Sequence, residues 1–123
     1  MAGFNLSPRE GAGKLTAISV ATGNIASGGT ATLIAAPGAG LYIRVHRLLV
    51  ANTVLSTLVF QDGAGNVFNG AFNLNSGATL FFPFDGNAWF ECAVNASFQV
   101  VNGTGVNNNV NGFLFYTVTN FLN

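Results

Sequence analysis

The chain has 123 residues, with four Lys and Arg balancing four Asp and Glu, one His and one Cys. Charged residues make up 7% of it, against a usual quarter. A net charge of zero leaves no electrostatic footprint for nucleic acid, a lone Cys92 excludes an internal disulfide, and no apolar run reaches the roughly 18 residues of a membrane helix.

Residues 1–14 differ in character from the rest of the chain. They hold Gly3, Pro8, Gly11 and Gly13 together with Arg9, Glu10 and Lys14, and they read as an irregular N-terminal arm ahead of a domain over 15–123. The arm lacks a basic segment followed by an apolar one, so no signal peptide is expected. From Leu15 onward, short β-rich runs alternate with Gly and Asn punctuation. Strands are predicted over Leu15–Thr22, Thr30–Ala36, Leu41–Ala51, Val54–Gln61, Asn66–Asn69, Ala78–Pro83, Ala96–Asn102 and Gly112–Thr119. The intervening glycines and asparagines supply the positive-φ positions that tight turns demand. Leu41 to Phe60 contains no Gly or Pro, yet its Ile43, Val45, Val50, Thr53, Val54, Thr57 and Val59 are β-branched, which favours two strands with a break at Asn52-Thr53 over one helix. Regularly spaced short strands with turn signals predict an all-β, single-domain antiparallel β-sandwich, jelly-roll-like, of about eight strands.

The alternation within these strands carries a second message. A sandwich strand with one wet face alternates apolar and polar residues. Gly112–Thr119 instead carries Phe113 and Phe115 on one face and Leu114, Tyr116 and Val118 on the other. Val54–Gln61 offers Val54, Leu58 and Phe60 against Leu55 and Val59, and Leu80, Phe81, Phe82 and Phe84 are nearly continuous. Eight ionic side chains are few for the roughly 6,000 Å² that a folded chain of this size exposes. Strands apolar on both faces put one face in the core and the other under a neighbouring subunit. Leu55, Val59, Phe81, Leu114 and Tyr116 are the residues expected to point outward and carry self-association, and Phe4, Arg9, Glu10 and Lys14 of the arm are expected to reach a partner protein.

The residues that carry chemistry are sparse. Arg44, His46 and Arg47 form the one basic cluster, and on a regular strand Arg44 and His46 share a face while Arg47 points the other way. That is too thin for a phosphate track. His46 has no carboxylate near it in sequence, and nothing around Cys92 supports a Cys–His dyad, so neither a triad nor a His-ligated metal is expected. Asp62-Gly-Ala-Gly-Asn66 departs from a calcium loop, with Ala64 at a ligand position and no closing Glu, and reads as a hairpin turn. Gly11-Ala-Gly-Lys14 fails as a phosphate loop because Pro8 and Leu15 stand at required positions. No cofactor is expected. Trp89, Tyr42 and Tyr116, with Asp62, Asn66, Asp85 and Asn87, offer aromatic and polar groups of the kind that stack on a sugar.

The segments Leu41-Tyr-Ile-Arg-Val-His-Arg-Leu-Leu-Val50, Leu58-Val-Phe-Gln-Asp-Gly63, Gly70-Ala-Phe-Asn-Leu-Asn-Ser-Gly77, Leu80-Phe-Phe-Pro-Phe84, Trp89-Phe-Glu91 and Gly112-Phe-Leu-Phe-Tyr-Thr-Val118 together resemble the small β-sandwich proteins that decorate, or cement, the capsids of tailed bacteriophages. The resemblance spans Leu41 to Val118 and consists of packing and turn features. It implies a non-enzymatic virion protein made in the host cytoplasm. Such a protein sits as a homo-oligomer, most often a trimer, on the capsid surface and stabilises contacts between major capsid protein subunits. A head- or tail-fibre module that binds host glycans in the manner of a lectin is the alternative that these residues leave open.

Overall fold

In the computed structural model, which describes residues 14–84 and 86–120, every regular element is a strand. In chain order these are β1 (Thr16–Ala21), β2 (Thr30–Ile34), β3 (Tyr42–Asn52), β4 (Ser56–Asp62), β5 (Phe72–Leu74), β6 (Thr79–Phe82), β7 (Phe90–Glu91), β8 (Phe98–Asn102) and β9 (Val110–Thr119). One sheet has the order β1-β9-β3-β6, with β7 also paired to β3, and the other has the order β2-β8-β4-β5. All pairings are antiparallel. Six of the eight connections cross from one sheet to the other, so sequence neighbours mostly end in different layers.

The layers meet through phenylalanine. Phe60 and Phe98 of the second sheet stack on each other at 5.8 Å and on Phe90 of the first at 5.6 and 5.5 Å. Phe68 stacks on Phe90 at 5.4 Å, and Phe82 meets Phe60 edge-on. Ile43, Val45, Leu48, Val50, Leu58, Val100, Val110 and Leu114 fill the space around these rings with no exposed surface. Full burial of such side chains contributes about 1.5–3 kcal/mol each. The face-to-face arrangement fits a β-sandwich.

Buried asparagines tie the ends of the layers together. Asn102 accepts a hydrogen bond from the Ser56 hydroxyl at 2.7 Å and donates to the carbonyls of Ile25, Ala26 and Val106. Asn52 donates to the carbonyls of Val54 and Leu74. Together they add side-chain donors to carbonyls of the connecting loops and of the end of β5.

Most predicted strands are present, with different ends. Residues Leu41 to Phe60 do form two strands, separated by a bend over residues 53–55. Asn66–Asn69 is not a strand. Val67 makes a single bridge to Gln61, and the Asn69 side chain takes over the pairing by accepting from Phe60 N–H and donating to Leu58 carbonyl. β5 and β7 were not expected; three and two residues are too few to show a period. Of the arm, Lys14 is exposed just ahead of β1, while Phe4, Arg9 and Glu10 lie outside the described residues.

Candidate interaction surface

β3 holds the feature that shapes the surface. Its ladder with β9 runs Arg44↔Thr117 and Val45↔Tyr116, then jumps to Arg47↔Phe115, leaving His46 as the extra residue of a β-bulge. Alternation therefore changes phase at His46. Val45 and Leu48 both face the core, whereas a regular strand would turn them to opposite sides. The consequence corrects the expectation for the basic cluster: Arg44, His46 and Arg47 share the outer face. Arg44 Nε sits 2.7 Å from Glu91 Oε2 across the β3–β7 pair. His46 Nε2 lies 2.9 Å from Thr117 Oγ1, and its ring is 6.0 Å from that of Phe84.

Arg47 stands among aromatic rings. Its guanidinium carbon is 5.3 Å from the centroid of Phe81, 5.5 Å from Phe113 and 5.7 Å from Phe115. Its Nε is buried without a hydrogen-bond partner. Each ring face is a patch of negative potential, so three of them stabilise a cation that, among the described residues, no carboxylate pairs with. Across the sheet, Ser19, Phe113, Leu49 and Phe81 form one row and Ala17, Phe115 and Arg47 the next. Phe81 is 47% exposed and Phe84 52%. This face of the first sheet is apolar and aromatic around two guanidinium groups.

The outer face of the second sheet has another chemistry. Thr30 and Thr32 of β2, Gln99 and Val101 of β8, Thr57, Val59 and Gln61 of β4 and Asn73 of β5 make it polar and uncharged. Gln61 donates to Gln99 across the ladder at 2.8 Å. Two apolar faces per strand is thus a property of the first sheet and not of the second.

The residues expected to carry self-association are divided by this arrangement. Phe81 lies on the aromatic face. Val59 is on the outer side of the other sheet, beside Val101. Leu55, 64% exposed, sits in the bend between β3 and β4 and not on a strand face. Leu114 has no exposed surface and pairs with Leu48 in the core, so it is withdrawn from any partner. Tyr116 packs against the same core beside Val45. The outward set on β9 is Phe113 and Phe115, the opposite face from the one expected. With both faces apolar, hydrophobicity alone could not choose between them. Leu49 and Arg47 were missed because the bulge is invisible in the strand's composition.

The remaining polar residues are engaged internally. Asp62 is fully buried; its Oδ1 accepts from the N–H groups of Ala64 and Asn66, both at 3.0 Å, and its Oδ2 from Asn66 Nδ2 at 2.8 Å and Ala93 N–H at 2.9 Å. Burial pushes the carboxyl up, but the hydrogen bonds from Asn66, Ala93 and Ala64 outweigh it and hold it below the usual aspartate value. The carboxylate thus organises the turn that Gly65 closes at φ 97°, and offers nothing to an ion or sugar. Trp89 donates its indole N–H to Pro83 carbonyl and packs on Phe82; Asp85 lies outside the described residues. Burial and the nearby Asp62 charge push the Cys92 thiol up to about 12, which leaves it protonated and unreactive. Among the described residues no three His, Cys, Asp or Glu side chains gather at metal-binding distance, and no helix is long and apolar enough to cross a membrane. No protein-family model, curated protein or solved structure matches this chain.

Proposed function

We propose that this protein is a structural, non-enzymatic virion subunit: a decoration or cement protein that self-associates and covers the outside of a phage head, stabilising contacts between major capsid subunits. The observation that carries the reading is the outer face of the first sheet, where Phe81, Phe113 and Phe115 surround Arg47 beside Leu49, and the exposed Phe84 lies against His46. Contiguous apolar surface of this kind, centred on aromatic and arginine side chains, is the composition of a protein–protein interface core. The polar, uncharged second sheet suits a surface that stays in water. Strand order supports a jelly-roll layout: with β6 and β7 taken as two halves of one interrupted strand against β3, eight strands fall into two four-stranded sheets. The motif resemblance from Leu41 to Val118 adds the capsid as the partner.

The test is co-sedimentation of the full chain with expanded phage heads assembled without it, alongside sedimentation of the chain alone. Saturable binding that raises the heads' resistance to heat, lost in Phe81→Glu and Phe115→Glu variants with unchanged circular dichroism, is the expected result. A free monomer with no affinity for heads overturns it.

A further inference from the structure

From the edges of the two sheets we infer that β1 pairs with β1 of a second copy, antiparallel about a two-fold axis through Ser19. This deepens the assembly reading and rests on it in one respect, that copies meet in solution. A sheet edge exposes unpaired N–H and C=O groups, and proteins blunt such edges with short strands, bulges, proline or charge. Three of the four edges here are blunted. β2 has a register shift between Thr32 and Ile34, β5 is three residues long, and β6 is four residues long and runs into Pro83. β1 carries none of these devices. Its six residues, Thr-Ala-Ile-Ser-Val-Ala, include no charge or proline and hold an unbroken register with β9, and no described strand lies beyond it.

The hydrogen-bond phase fixes which residues face outward. Thr22 N–H donates to Val110 carbonyl at 3.1 Å and Val110 N–H donates to the Thr22 hydroxyl at 3.0 Å, so these two form a hydrogen-bonded pair one step past the end of β1. Counting back by twos, Val20, Ile18 and Thr16 turn their backbone groups toward β9. Ala17, Ser19 and Ala21 therefore present theirs to the open edge. These three side chains are small and exposed, and none of them is bulky enough to guard the backbone.

That set is self-complementary. With Ser19 on the axis, Ala17 meets Ala21 of the second copy and Ala21 meets Ala17, so all three outward residues fall in hydrogen-bonded pairs. The intervening pairs set Ile18 against Val20 on the core side, an apolar cross-strand match. The nearest charge, Lys14, falls opposite Asn24 and not another lysine. Arg47 lies two strands in from the edge, so the two copies of it are about five strand spacings, roughly 24 Å, apart and screened from each other. The join continues the first sheet across both copies and brings their aromatic faces side by side.

Cysteine cross-linking in the full chain tests the register. Two Ser19 Cα atoms on the axis are about 5.5 Å apart, inside the window a disulfide needs. Two Ala17 positions in the same dimer are offset by four residues, about 13 Å along the strand, and cannot bridge. Wild type sets the background, because Cys92 is buried. Under mild copper–phenanthroline oxidation, Ser19→Cys is expected to give covalent dimer well above background. Ala17→Cys alone gives none, and a mixture of Ala17→Cys with Ala21→Cys restores it. Circular dichroism checks that each variant folds. No cross-link above background at position 19, or equal cross-linking at 17 and 19, overturns the pairing. A trimer by sedimentation without the Ser19→Cys cross-link removes the edge pairing and leaves the assembly reading intact; a monomer removes the pairing, and a monomer that also has no affinity for heads removes both. Self-association that disappears when residues 1–13 are deleted, without cross-linking at 19, assigns the edge to that segment and also overturns the proposal.

Discussion

The guanidinium of Arg47 lies over the ring of Phe81 at 5.3 Å, and the two residues reach each other because a bulge at His46 resets the phase of β3. Three rings and, among the described residues, no carboxylate hold this cation. Arg47→Ala is expected to cost about 1–2 kcal/mol in urea unfolding, from lost ring contacts and lost stem packing. Arg47→Lys keeps the charge but not the planar stacking, and falls between. The difference should change little with added salt, because its source is ring contact and not an ion pair with any described residue.

Gly112 sits opposite Val50 where β9 crosses β3. A Cβ there would lie 1.8 Å from the Leu49 carbonyl oxygen and 2.9 Å from Val50 Cα, and backbone cannot step aside as a side-chain tip can. Gly112→Ala is expected to destabilise by about 3 kcal/mol or more by chemical denaturation. Gly70→Ala, with nothing within 4 Å, is the control and should be within about 0.5 kcal/mol of wild type.

Asp62 makes stability depend on acid. Its folded carboxyl titrates below the usual value, so it contributes stability above the unfolded aspartate value of about 3.9, lost as pH falls through the lower folded value. Asp62→Asn turns an acceptor into a donor facing N–H groups, at an expected cost of about 2–3 kcal/mol near neutral pH. The variant's stability should also fall less steeply below pH 4 than wild type's. Parallel curves would refute this account.

His46 is the sole histidine, so its ring protons give one clean NMR titration. Burial, reinforced by the nearby Arg44 charge, holds its pKa below the ordinary value. The unfolded chain therefore binds the proton first as pH drops. Stability from this site is complete above about pH 6.5 and declines as pH falls through the folded value. His46→Gln is expected to flatten that decline; a midpoint at or above the ordinary histidine value in the NMR titration contradicts it.

Cys92 is 1% exposed and its thiol is pushed up to about 12. Ellman's reagent should not label it in the native protein at pH 8, and one thiol per chain should appear as denaturant unfolds it, in step with circular dichroism. Rapid native labelling would place the sulfur in an open environment.

Much of this fold can be read along the chain. The β-branched run from Leu41 to Phe60, the Gly and Asn punctuation and the scarcity of charge determine an all-β protein and the approximate position of its longer strands, because those properties are local. The excess of apolar surface is likewise compositional: twelve Phe and eight ionic residues cannot all be arranged conventionally. The direction in which that excess points is not local. Leu114 and Phe113 are adjacent and equally apolar, and only the opposing Leu48 and the second sheet decide that Leu114 goes inward. The bulge at His46 shows only in the register of β3 against β9, and that one extra residue gathers Arg44, His46 and Arg47 onto one face. The edge position of β1 among the described strands is a matter of topology, since a strand is an edge only by virtue of what fails to pair with it. Sequence set the material and its surplus; long-range strand pairing chose the surface on which the surplus appears.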